Sequence, residues 1–271
     1  MLGFVESFFA WLGSTGISAL LGLLVSMALC KYFKSGYLLS FSLGVLFWVF
    51  VDIINDSGDL DVNASFSGGW EQVIIVFLFA VGISAFFLLD RSVFSPDYER
   101  SGSLTIPILI ALAIGVHGLG EGAAFGNVAA TTTSNSLVVA LGGEAAGAAY
   151  VLHKFLESMA IGVGYVVFAG KRSGGIGTRA RDVGILAVAF VFPSVVAAGA
   201  GYFVAYDSTY FFAAGTGGFI YALLRLAGPL FTTERASGPN GTLKMAAWLL
   251  AGLLCVYSAA LLHSYIPSTF A

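Results

Sequence analysis

Val116-His117-Gly118-Leu119-Gly120-Glu121-Gly122 and Leu152-His153-Lys154-Phe155-Leu156-Glu157-Ser158 are the stretches on which the reading turns. Each sets a His-x-x-x-Glu pair inside a long apolar run. Residues four apart share one face of a helix, so each segment presents an imidazole and a carboxylate together. A charge inside a bilayer costs several kcal/mol on insertion scales, which makes such residues functional candidates by default.

The rest of the chain confirms that the runs are membrane spans. Of 271 residues, 58% are hydrophobic and 10% charged, against about a quarter charged in a soluble domain. Mean hydropathy is +0.91. A soluble fold this poor in charge could not cover its surface, so the lipid bilayer is the solvent. The net charge of −3 speaks against nucleic acid. Cys30 and Cys255 lie in or beside apolar runs and are expected to be buried thiols. The amino terminus carries Glu6 and no basic segment, so no cleaved signal peptide is expected.

Eight stretches reach the roughly 20 apolar residues a spanning helix needs: 8–30, 37–54, 73–89, 106–125, 138–169, 183–206, 211–231 and 246–266. The expected fold is an all-α integral membrane protein of eight transmembrane helices, with residues 1–271 as one transmembrane domain. The fifth stretch is over-long, and Pro193 and Pro229 are candidates for kinks in the sixth and seventh. Alternate connections hold Lys31, Lys34, Arg91, Arg100, Lys171, Arg172, Arg179, Arg181, Arg235 and Lys244, ten of the twelve basic residues. The positive-inside rule then places both termini outside the cell membrane. Acidic residues gather on the other side: Asp52, Asp56, Asp59, Asp61 and Glu71, with Asp207 further on. They read as solvated loop charge or as a weak cation-collecting entrance. Glu144 is about 13 Å along the helix from His153 and is either a vestibule ligand or an exposed loop residue. His263 reads as interfacial.

Consecutive spans are antiparallel, so the two motifs can face each other. His117, Glu121, His153 and Glu157 would then offer nitrogens and oxygens to one point, a set suited to Zn²⁺, Fe²⁺ or Mn²⁺. Metal would also neutralise the buried carboxylates. Gly115, Gly118, Gly120, Gly122 and Gly126 on one span, and Gly147, Ala148, Gly162 and Gly164 on the other, permit close packing. The alternative is a hydrogen-bond network that only ties two helices. Two copies of the motif in neighbouring spans weigh against it.

These residues resemble the ZIP (Zrt-/Irt-like protein) family of divalent-metal transporters. The resemblance rests on His117-x-x-x-Glu121-Gly122 with Ala124 and Gly126, and on His153-x-x-x-Glu157. Leu39-Ser40-Phe41-Ser42-x-Gly44 and Ala213-Ala214-Gly215 with Phe219-x-Tyr221 are similar to the family's second and seventh spans. It implies a ZIP-like bundle with a central four-span core and an inverted repeat. It further implies a homodimer that moves zinc foremost, and iron, manganese or cadmium, as transported substrate rather than an enzyme. Many members hold two adjacent metals through an Asn after the first His and an acid after the second. Here Gly118 and Lys154 stand there, which implies a single-metal site with the Lys154 ammonium near the second metal's place, paired with Glu121 or Glu157. Arg225 stands where relatives often have an acid and is expected to snorkel at the cytoplasmic end. Since ligands must be deprotonated, binding should weaken in acid, below about pH 6.

Three rivals fit less well. An intramembrane zinc hydrolase needs an open metal position and a general base, and no His-Glu-x-x-His motif is present. A retinal protein would not surround its lysine with this cluster. A di-iron oxidase wants Glu-x-x-His spacing.

Overall fold

A computed structural model describes residues 3–56, 69–93, 103–132, 143–170, 175–204 and 206–264. All regular structure there is helical: α1 (Phe4–Leu29), α2 (Ser35–Asp56), α3 (Trp70–Val93), α4 (Thr105–Thr131), α5 (Glu144–Ala169), α6 (Ile176–Phe203) and α7 (Thr209–Ser264). Eight stretches are long and apolar enough to cross a membrane, because α7 carries two of them, Thr209–Phe231 and Asn240–Ser258. The protein is an all-α, eight-span membrane protein. Helical backbone continues through the residues that join these two spans, but their packing partners orient them oppositely, so the chain reversal that the sequence pattern predicts lies within α7. The over-long fifth span is corrected too. Gly143, at φ 104°, sets the left-handed turn from which α5 starts at Glu144, and residues 138–142 lie outside the described set.

Packing partners fix the sense of each span. Thr15 meets Tyr150 and Ser26 meets Gly162, so α1 and α5 are parallel. Gly115 faces Phe190 and Gly126 faces Ala198, so α4 and α6 are parallel. Phe212 lies on Gly120 and Gly218 on Ala113, so the first span of α7 opposes α4. Gly82 meets Ala214 and Asp90 meets Arg225, so that span runs with α3. Phe33 contacts Trp248 and Trp48 contacts Tyr257, so the second span of α7 runs with α2. Because α2 follows α1 after a five-residue turn, 30–34, the two spans of α7 run in opposite directions. Exchanging α1 with α6, α4 with α5, and α2 and α3 with the first and second spans of α7 maps every one of these parallel pairs onto another. This is the pairing of the expected inverted repeat.

The centre is α4, α5 and the first span of α7. Over their most apolar windows 67% of α4 is buried, against 17% for α3. Lipid is as apolar as leucine, so this centre is held by close contact rather than by hydrophobic expulsion. The glycine stripe of α4 provides it: a Cβ at Gly122 would sit 2.1 Å from the Ser194 carbonyl oxygen of α6. Pro193 lies inside α6 without ending it. Cys30 is only half-buried and Cys255 is exposed, so neither is the fully buried thiol expected.

Candidate metal centre

The antiparallel crossing of α4 and α5 brings all four predicted residues together. Nε2 of His117 lies 2.9 Å from Glu157 Oε1 and 3.6 Å from Glu121 Oε1. Nε2 of His153 lies 3.0 Å from Glu157 Oε1 and 4.0 Å from Glu121 Oε1. One donor atom each from His117, Glu121 and His153 falls within a 4.8 Å cluster, the spread of a metal's ligand set. Glu157 sits between the two imidazoles.

Lys154 completes the cluster. Its ammonium donates to Glu157 Oε2 (2.8 Å) and contacts His117 Nε2 (2.9 Å). It also lies 2.6 Å from Glu121 Oε2, close enough for charge pairing but outside hydrogen-bond alignment. The sequence reading allows one carboxylate partner; the geometry gives two. Gly118 faces Ser194 of α6, with room for no added Cβ: its nearest contact would be 2.9 Å.

The surroundings orient this set. His117 Nδ1 meets the Ile114 carbonyl oxygen, one turn back on α4. That contact calls for a proton on Nδ1 and turns Nε2 toward the cluster. The same Nε2 then faces both an ammonium and a carboxylate oxygen at 2.9 Å. The imidazole–carboxylate approach is one that a protonated imidazole, or a cation held between the two, would satisfy. Phe219 packs edge-on against His117 at 5.4 Å. Gly215 allows this, since a Cβ there would be 2.3 Å from His117 Cα.

The cluster is graded in depth. His117 and Glu157 are 0% exposed, whereas Glu121 and His153 are 16% and 18% exposed. The exposed pair lies nearer the end of the bundle where α4 finishes and α5 begins. An aromatic wall flanks that side. Trp11 stacks on Phe125 (4.4 Å) and Tyr150 (4.6 Å), and its indole N–H donates to Ser194 Oγ (2.9 Å). The Tyr150 and Phe190 rings lie 5.7 and 5.6 Å from the Lys154 ammonium, within cation–π range.

Trp11, Tyr150 and Ser194 are not singled out by the sequence reading. Tyr150 could have been, because it lies four residues before Lys154 on the same helix face. Trp11 and Ser194 come from distant spans and carry no local signal. Of the entrance candidates, Glu144 is exposed at the first turn of α5 and Asp52 is half-buried in α2. Neither joins a metal-ready cluster among the described residues. The side chains of Asp56, Glu71 and His263, and all of Asp59 and Asp61, lie outside the described set. Arg225 departs from expectation: rather than only snorkelling, it pairs with Asp90 on α3 at 3.2 Å.

No protein-family model matches the chain, and no curated protein matches it at a significant level.

Proposed function

We propose that this protein is a divalent-metal transporter of the ZIP type that carries one ion at a time through the His117–Glu121–His153–Glu157 cluster. The observation that supports it is the convergence of two His/Glu pairs, one from each of two antiparallel spans, on a single buried point. Borderline cations suit two nitrogens with carboxylate oxygens, zinc foremost and iron, manganese or cadmium with it.

Glu121 and His153 are the more exposed pair and receive the ion first; His117 and Glu157 take it deeper. The acidic end is the entrance and the basic end the cytoplasmic exit. Lys154 bridges and neutralises the two carboxylates between ions and fills the place a second metal would need. The protein works as a homodimer in the cell membrane, both termini outside.

The test is zinc uptake into liposomes by the purified protein beside a His153→Ala, Glu157→Ala double variant. Saturable uptake that the variant lacks supports the reading. Equal uptake by both removes the α5 motif from the mechanism. Hydrolysis of a peptide or lipid, with no uptake of zinc, iron or manganese, would favour an intramembrane hydrolase instead.

A further inference from the structure

At the basic end of the bundle the chain has a second, chemically different cavity. It lies where α1 and α5 finish and α6 begins, and has a volume of about 340 Å³. That falls within the roughly 300–1,000 Å³ usual for ligand pockets. Its body is apolar, formed by Leu24, Met27 and Val166 among others, and its rim carries Lys31 and Arg179. Leu24 is 53% exposed, so the cavity opens sideways to the acyl region rather than only to water.

The two rim cations are without an acidic partner among the described residues. The nearest acid on α6, Asp182, is buried and already engaged: it accepts from Tyr165 Oη (3.1 Å) and pairs with Arg181 (3.6 Å). Lys31 and Arg179 are both exposed and lie on different spans, α1's end and α6's first turn. A ligand for this place must therefore be anionic at its head and apolar behind it.

We propose that this cleft binds one anionic phospholipid of the leaflet at the basic end, its phosphate between Lys31 and Arg179 and an acyl chain along Leu24, Met27 and Val166. Charge complementarity selects the headgroup, because basic side chains at a membrane surface attract anionic lipid. The lateral opening selects a lipid over a soluble phosphate. The lipid would brace α1 and α5 against α6 at the end away from the metal cluster. The proposal is independent of the transport reading.

The full-length protein, delipidated and then mixed with phosphatidylglycerol or phosphatidylcholine, is examined by native mass spectrometry. Phosphatidylglycerol adducts should persist where phosphatidylcholine adducts do not. Lys31→Ala with Arg179→Ala should weaken retention roughly thirtyfold, while Lys31→Arg with Arg179→Lys restores it and Lys34→Ala, at an exposed site off the cleft, leaves it unchanged. Met27→Trp, which fills the cleft with both charges intact, should also lose the lipid. Equal retention by wild type and the double alanine variant would overturn the proposal. So would an equal loss on Lys34→Ala, which means unspecific surface charge. Displacement by inorganic phosphate with Met27→Trp unaffected would make the rim a free-anion site and also refute it.

Discussion

Two of the charge clusters that the described residues form within the spans differ in kind. Near the basic end, Asp90 of α3 meets Arg225 of α7 at 3.2 Å and Tyr221 Oη at 3.2 Å, with the guanidinium 5.9 Å from the Phe168 ring. Its charges balance one to one, and both side chains keep some exposure, 18% and 24%. At the crossing of α4 and α5, one ammonium, two carboxylates and two imidazoles meet, at 0–1% exposure for three of the five side chains. The first cluster pairs one cation with one anion and fastens α3 to α7. The second has donor atoms in excess of what its own cation can satisfy, and that excess is what a transported cation would use. A buried charge is thus a poor guide to function by itself. An excess of ligand atoms over what a cluster's own cation can satisfy is what would set a metal site apart from a fastening.

The sharpest way to break this contrast is to remove the fully buried carboxylate. Glu157→Gln leaves Lys154 with Glu121 alone and takes away the oxygen shared by both imidazoles. Removing one partner of a buried pair costs roughly 3–5 kcal/mol. Zinc uptake should fall to background, and thermal unfolding in detergent should show the destabilisation. Retained uptake at more than about a tenth of the wild-type rate would mean that the α4–α5 cluster is a fastening too. Gly215→Val tests the packing beneath it. Its Cβ would come 2.3 Å from His117 Cα, so α7 and α4 must part, at a cost of about 1–3 kcal/mol or more. Uptake should drop several-fold as His117 shifts, whereas Gly228→Val, where nothing lies within 4 Å of the added Cβ, should leave both stability and uptake near wild type.

Much of this was legible from residue order, for identifiable reasons. Span number follows from apolar run length, and the crossing of the motifs follows from antiparallel neighbours plus a four-residue spacing. These are short-range rules. What escaped them is long-range. Ser194 reaches the site because the glycines of α4 admit α6, and Trp11 because α1 packs on α5 and α6. Neither contact leaves a periodic trace in its own span. From its position in one span Arg225 looks like a lone snorkelling cation, because its partner, Asp90, is 135 residues away. Apolarity that continues through 138–142 hides from the sequence the turn at Gly143 where α5 starts.

Lys154 is the residue on which the two clusters differ most in kind, and its removal sharpens the comparison. The ammonium and an incoming ion would use the same oxygens, Glu121 Oε2 at 2.6 Å and Glu157 Oε2 at 2.8 Å. Lys154→Gln takes away a tethered competitor. Zinc should then bind about tenfold more tightly by calorimetry, with slower release and a lower maximal uptake, because an ion held too well leaves late. Unchanged affinity and uptake would show that Lys154 plays no part in setting the site.

The smallest effect is expected at the balanced cluster. Asp90→Asn keeps the shape and can still accept from Tyr221, but it ends the charge pairing with Arg225. That guanidinium is 24% exposed, and its stem is long enough to turn toward the basic end. The cost should therefore be about 1 kcal/mol, the upper range for partly exposed pairs, with metal affinity unaltered. Restoring the pair in reverse, as Asp90→Arg with Arg225→Asp, should recover part of the loss only if fastening is all that the pair does. A fall in zinc affinity on Asp90→Asn, measured on folded protein, would mean that the α3–α7 contact sets the position of the Gly215–His117 interface. In that case the two clusters act as one unit.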